Sequence, residues 1–190
     1  LSFSVTVLGD GGTKRLGRNA ARKGDLIVVS GNIGDAYIGL KLINNLSFKE
    51  HISNYQHLIN KFLIPYPRLN LGQKISSFSS SIIDISDGLL ADLKHLCIQS
   101  KLGAKIDINK IPLSAEAKSL INLKLLSIND LITAGDDYEL LYTIDPKDSN
   151  KVDENSVIIG EMVKDDEYNI INKNNKNIIT DKGLHGYIHF

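Results

Sequence analysis

Ile83-Asp84-Ile85-Ser86-Asp87-Gly88-Leu89-Leu90-Ala91-Asp92-Leu93 is the stretch on which the fold turns. Ser81 to Ile85 reads as a strand, and Asp87 to Ser100 as the helix that follows it. A strand running straight into a helix is the repeating unit of layered α/β structure. Within the strand, Asp84 and Ser86 point to one face, and Asp87 follows in the first helical turn. Two carboxylates and a hydroxyl therefore converge at one strand-to-helix junction. A helix start explains two of them: Ser86 as the cap, and Asp87 as an anion suited to the positive end of the dipole. It leaves Asp84, an acid between two isoleucines, which reads as a buried carboxylate in need of a partner. Hard oxygen ligands at this spacing suit Mg²⁺, which takes one or two carboxylates plus phosphate oxygens. A structural network around a buried acid is the alternative.

Upstream, Leu1 to Leu8 alternates as a strand does, and a loop rich in glycine and basic residues runs from Gly9 to Lys23. Asp25 to Gly31 is a continuous apolar run closed by glycine, the pattern of a strand buried on both faces. Gly34-Asp35 opens a helix through Leu46, with Ile38, Leu42, Ile43 and Leu46 as its stripe. Tyr55 to Leu63 and Asn70 to Phe78 read as further helices. Between them Pro65-Tyr66-Pro67-Arg68 is extended, because each proline drives its predecessor out of the α region. Downstream, Gly103 to Ile108 reads as a strand with Ile106 and Ile108 on one face. Ser114 caps a helix without a capping box, since Ala117 stands where the acid belongs, and helical pattern continues to Ala134. Tyr138 to Ile144, Val157 to Gly160 and Tyr168 to Ile171 read as strands. Lys164 to Glu167 and Lys173 to Asn177 read as polar turns. The fold class is α/β (α+β): a layered mixed sheet with packed helices.

Two further segments carry candidate chemistry. Thr133-Ala134-Gly135-Asp136-Asp137-Tyr138-Glu139-Leu140 places two acids after a glycine, just before a strand. It is a turn, where Gly-Asp is common, or a carboxylate held at a sheet edge for a cationic or metal-bound ligand. In Lys14-Arg15-Leu16-Gly17-Arg18, Arg18 is suited to a bidentate phosphate contact; a solvated basic loop is the plain alternative. Gly31-Asn32-Ile33-Gly34-Asp35 joins a strand to a helix as phosphate loops do, without the Gly-Lys-Ser/Thr ending of a P-loop. The five histidines have no metal-ligand spacing.

Bulk properties narrow the function class. With 22 Lys+Arg against 22 Asp+Glu, the 190-residue chain has a formal net charge of zero, so nothing electrostatic favours nucleic acid or an anionic membrane. A 42% hydrophobic share is enough to bury a core, yet no run approaches the ~20 apolar residues of a membrane span. The single cysteine, Cys97, forms no internal disulfide and reads as a small buried hydrophobe, which fits a cytoplasmic setting.

The ordered set Arg18, Lys23-Gly24-Asp25, Gly34-Asp35, Gly39-Leu40, Pro67-Arg68, Asp84-Ile85-Ser86-Asp87-Gly88-Leu89, Gly135-Asp136-Asp137-Tyr138-Glu139-Leu140 and Gly186-Tyr187-Ile188-His189-Phe190 resembles thiamine-monophosphate kinase. That family belongs to a superfamily with aminoimidazole ribonucleotide synthetase and selenophosphate synthetase. The resemblance implies an ATP-dependent phosphotransferase that converts thiamine monophosphate to thiamine diphosphate. It implies Mg²⁺ on Asp84 and Asp87, ATP contacts from Arg18 and Ser86, and substrate contacts from Asp136 and, near the C-terminus, Tyr187. It assigns no residue a covalent catalytic role. Where the family usually has Gly-Gly-Glu-Asp-Tyr-Glu-Leu, this chain has Ala134-Gly135-Asp136-Asp137, one methylene shorter at the substrate carboxylate. The resemblance also makes residues 1–190 a single C-terminal-type domain without the family's N-terminal ATP-binding domain. It implies that the isolated chain is inactive and that the full-length family is a homodimer. Two alternatives stay open: a non-catalytic folded or binding domain, and a related ATP-dependent synthetase.

Overall fold

The structure is a computed structural model that describes residues 4–8, 16–44, 46–53, 55–165, 169–172 and 176. In chain order its elements are strand β1 (Leu26–Val29), helices α1 (Asp35–Asn44), α2 (Gln56–Leu63) and α3 (Leu69–Ser76), strand β2 (Ser79–Ile85), helix α4 (Leu89–Ser100) and strand β3 (Gly103–Ile106). Helices α5 (Ala115–Asn122) and α6 (Ile128–Ile132) follow, then strands β4 (Glu139–Ile144), β5 (Val157–Val163) and β6 (Ile170–Asn172). Short 3-10 turns fill the connections at Leu46–His51, Ile108–Lys110 and Pro146–Lys151.

The strands form one mixed sheet in the order β2-β4-β1-β5-β3-β6, antiparallel throughout except for the parallel pair of β3 and β6. As its continuous apolar run predicts, β1 is central and buried on both faces. Ile27 and Val29 join a core with Leu89, Leu93 and Leu96 of α4. Val28 joins another with Tyr142, Ile144 and Ile75 of α3. A satellite core of Ile38, Leu42, Leu58, Leu120 and Leu131 gathers α1, α2, α5 and α6. Cys97 is fully buried in the α4 core, where burial pushes its thiol up to about 12 and leaves it inert. Among the described residues no helix is long and apolar enough to cross a membrane.

Several expectations change. Residues 4–8 form no strand, and Val5, Val7 and Leu8 are almost wholly exposed, so their alternation has no face to bury. Ile108 lies outside β3, in a 3-10 turn capped by Asp107, whose carboxylate takes the Asn109 N–H at 3.1 Å. That side-chain bond ends the strand two residues early. The pattern running to Ala134 is two short helices. Ser114 caps α5 alone, as read, but α6 carries a full capping box between Ser127 and Asp130. In the expected polar turns residues 166, 167, 173–175 and 177 lie outside the described residues, as does Tyr168 of the expected last strand.

Candidate functional site

Antiparallel pairing of β2 with β4 sets Ile85 opposite Glu139, so the segment leading into β4 lies against the chain that leaves β2. The Asp136 N–H donates to the Ser86 carbonyl at 2.9 Å and the Tyr138 N–H to the Ile85 carbonyl at 2.8 Å. These two bonds bring the Asp84–Asp87 stretch and Asp136 to one end of the sheet. The electrostatics agree. The Tyr138 hydroxyl is raised above its ordinary pKa by burial, then by the charge of Asp136 and its hydrogen bond, and further by the charges of Asp84 and Asp87. Its hydroxyl donates to Asp136 Oδ1 at 3.3 Å.

Asp84 differs from its sequence reading. It is exposed, while Ile83 and Ile85 on either side are buried. Strict alternation along β2 sends the isoleucines into the α4 core and the carboxylate to the opposite face. The acid therefore needs no buried partner. Ser86 does not cap the helix either. The cap position is Gly88, at φ 117, with no side-chain cap bond. The carboxylate of Asp92, inside the helix, instead ties down the turn before it: its Oδ2 accepts the N–H groups of Ser86 at 3.0 Å and Asp87 at 3.1 Å. Asp87 thus stands in the turn before α4, not in its first helical turn. Asp92 is buried, and burial pushes its carboxyl up to about 6, with the charges of Asp87 and Asp84 adding to the rise against the two N–H bonds. Sequence reasoning missed its role. The signal was present as a carboxylate inside the apolar face Leu89, Leu93, Leu96.

Close approach holds the two loops together. A Cβ on Gly135 would lie 2.2 Å from the Ser86 carbonyl oxygen, and one on Gly88 would lie 2.7 Å from the carbonyl oxygen of Thr133. Asp136 (φ 68) and Tyr138 (φ 50) both adopt the left-handed region. Such conformations cost about 1–3 kcal/mol each and persist where the surroundings over-determine them; here the N–H bonds to Ser86 and Ile85 do so. Gly135→Ala is expected to destabilise the chain by ~2 kcal/mol or more, since the obstructing atom is backbone and cannot rotate away. Urea unfolding checks this, and an unchanged midpoint would contradict the packing described.

Asp137 and Glu139 face inward and build the frame. The Asp137 carboxylate accepts the Gly34 N–H at 2.7 Å and the Ala36 N–H at 3.3 Å, closing the start of α1. The neighbouring Asp35 takes the Ser114 hydroxyl at 2.6 Å. Burial, then the Asp35 charge, pushes Asp137 up to about 7, against the N–H bonds and the Lys61 charge. A folded pKa above the unfolded value of 3.8 means that this contribution to stability is full below that pH and is lost as pH rises through about 7. Asp137→Asn is expected to gain thermal stability relative to the parent as pH rises from about 4 to about 8. A pH-independent difference between the two melting curves would refute it.

Glu139 is fully buried. Its carboxylate accepts Ser30 Oγ at 2.6 Å, Lys61 Nζ at 2.5 Å and two Arg68 nitrogens at 2.8 and 2.6 Å. Burial works against its ionisation. The bonds from Arg68, Lys61 and Ser30 outweigh that and hold the carboxyl below its usual range.

Beside the loop lies a cavity of about 250 Å³, lined by Tyr37, Leu40, Phe62, Thr133, Ala134 and Asp136 among others. It combines aromatic walls with an acid. Arg18 is exposed, and its carbonyl accepts Ser100 Oγ at the far end of α4; among the described residues no contact gathers it to the aspartates. Tyr187 lies outside the described residues. Among the described residues, no three or more His, Cys, Asp or Glu side chains form a ready metal cage.

Residues 22–173 match the family model described as AIR synthase related protein, C-terminal domain. The chain belongs to that family. The resemblance carried by the motifs therefore holds for this AIR synthase related domain. Thiamine-monophosphate kinase of Buchnera aphidicola subsp. Schizaphis graminum is 37% identical over 154 residues, 80% of this chain and 47% of the relative. The crystal structure of thiamine monophosphate kinase from Aquifex aeolicus aligns at TM-score 0.73 and 30% identity, over 86% of this chain and 54% of that one. AaThiL complexed with AMPPCP and TMP aligns at TM-score 0.76 and 30% identity, over 92% and 54%. The AIR synthase related domain spans about half the length of the relatives it matches. The layered mixed sheet is the fold expected from the sequence.

Proposed function

We propose that this domain supplies the metal, phosphate and substrate edge of a thiamine-monophosphate kinase. The reaction moves the γ-phosphoryl group of ATP onto the phosphate of thiamine monophosphate, giving ADP and thiamine diphosphate. The observation that carries the reading is the meeting of Asp84, Ser86, Asp87 and Asp136 at one sheet end, in a chain similar to kinases of that name. The solved relative in complex with AMPPCP and TMP supports ATP and thiamine monophosphate as the ligands.

The donor set fits Mg²⁺. Asp84, exposed near the end of β2, and Asp87, half-buried in the turn that follows, are two carboxylates that no third acid among the described residues closes into a cage. That suits a cation that keeps water and phosphate oxygens. Bound there, Mg²⁺ would neutralise phosphate charge. Strand alternation presents Asp84 to solvent, and Asp92 holds the turn that carries Ser86 and Asp87. Ser86 contacts nucleotide phosphate. Arg18 is assigned to ATP from the resemblance. Asp136 meets the cationic rings of the substrate at the rim of the aromatic cavity, and Tyr187 is a second substrate contact. Asp136 is one methylene shorter than the family's usual glutamate; its backbone is held to Ser86, and its carboxylate accepts the Tyr138 hydroxyl.

The whole reaction is proposed to need the half of the relatives' length that this chain does not match, with residues 1–190 acting as one C-terminal-type domain. A cytoplasmic homodimer is the proposed setting. The half-length match also favours a second reading, a folded domain that binds ligand without turnover. Amide spectra of the ¹⁵N-labelled chain test the site. Thiamine monophosphate is expected to shift Thr133 to Tyr138, and ATP with Mg²⁺ to shift Ile85 to Leu90. Shifts in neither segment would refute both readings of the site.

A further inference from the structure

From Ile59 to Lys74 no residue is buried. This strap comprises the second half of α2, the Pro65–Pro67 connector and most of α3. It exposes Leu63, Ile64, Tyr66 and Leu69. Ile59 and Leu71 pack partly against the cores of the buried anchors Leu58 and Ile75, so apolar contact holds the two ends of the strap more than its middle. What ties its middle to the sheet is ionic. Lys61 from α2 and Arg68, just before α3, both end on the buried carboxylate of Glu139, the first residue of β4. Ser30, following β1, completes the node. Gly31 leaves room for it, since a Cβ there would lie 2.7 Å from the Glu139 carboxyl carbon. Phe62, next to Lys61, lines the cavity that Asp136 also lines.

We infer that Glu139 is a positioning residue: through Lys61 and Arg68 it holds the strap so that Phe62 walls the substrate cavity. Without the node the last turn of α2 loses its inward tie, and Phe62 is free to swing toward solvent with its exposed neighbours Leu63 and Ile64. The inference rests on the proposal that this cavity takes thiamine monophosphate. It adds that substrate affinity is set in part by an ion pair that touches no substrate.

Lys61→Met tests it while leaving Arg68 on Glu139 to preserve the fold. Hydrogen exchange is expected to speed about tenfold at the amides of Phe62 to Ile64, with β2 and β4 unchanged. Titration with thiamine monophosphate is expected to show affinity about fivefold weaker in Lys61→Met and weaker still in Phe62→Ala, with the double variant no worse than Phe62→Ala alone. Unchanged exchange in Lys61→Met, or binding losses that multiply in the double variant, would overturn the inference alone. If the parent chain binds no thiamine monophosphate, the substrate reading falls and this inference with it.

Discussion

Replacing Asp84 by alanine is expected to lower kcat/KM for thiamine diphosphate formation by ~10³-fold or more, the scale of losing a group that organises charge on a transferring phosphoryl. Turnover is read in the assembled enzyme, with the half that this chain does not match supplied. The side chain is exposed and lies on the face opposite Ile83 and Ile85, so its removal takes nothing from the α4 core. The melting temperature should therefore stay within a few degrees of the parent, as for surface substitutions generally. This combination separates the proposed role from a structural one. A buried acid in a structural network would lose stability and activity together. Asp84→Asn keeps the shape and removes the charge, and should be nearly as impaired. Full activity in Asp84→Ala would remove the metal site from the account.

The second large effect concerns stability. Lys61→Met with Arg68→Met leaves the Glu139 carboxylate buried, without its two cations and with the Ser30 hydroxyl still bonded to it. Breaking a buried ion pair by removing the partner destabilises by about 3–5 kcal/mol, because the stranded charge cannot be hydrated. Urea unfolding at neutral pH should show a loss of that size. Adding Glu139→Gln to the double variant should recover most of it, since the stranded charge is then gone. The pH dependence has a definite sign. The folded pKa of Glu139 is depressed, so the stability it contributes is present above its unfolded value of 4.5 and is lost as pH falls through the folded value. The double variant should lack this acid-labile contribution. No recovery on adding Glu139→Gln would mean that the methionines disrupt packing and the charge is incidental.

Much of the fold was legible because the hydrophobic pattern dictates it. The unbroken apolar run of β1 made it a central strand, and of the stripe Ile38, Leu42, Ile43 and Leu46 the first two face the satellite core, while Ile43 is exposed and α1 ends before Leu46. The proline pair at 65 and 67 correctly broke α2 from α3. The strand reading of residues 4–8 failed because alternation shows only that a face is available, not what covers it. The position of Asp84 was misread for a related reason. Flanking isoleucines suggest burial when counted along the chain, but in a strand they share the face that Asp84 avoids.

The site was partly legible. Asp84, Ser86, Asp87 and Asp136 were named from local motifs, and pairing of β2 with β4 brings the two motifs together across a separation that no local pattern spans. The supporting residues were not legible. Asp92 takes N–H groups five and six residues behind it, and Glu139 collects partners from Ser30, Lys61 and Arg68. Those partnerships are products of the fold. In the sequence Glu139 is one acid at the start of an apolar strand, and Asp137 one member of an acidic pair. Their separation, with Asp136 at the cavity and Asp137 closing α1, follows from the left-handed turns at Asp136 and Tyr138.

The most direct measurement is thiamine diphosphate formation from ATP, Mg²⁺ and thiamine monophosphate, by this chain alone and with the N-terminal half of a thiamine-monophosphate kinase relative added. The account predicts no product from the chain alone and product when the two halves are combined. Product from the chain alone, or none from the combined halves, would contradict it.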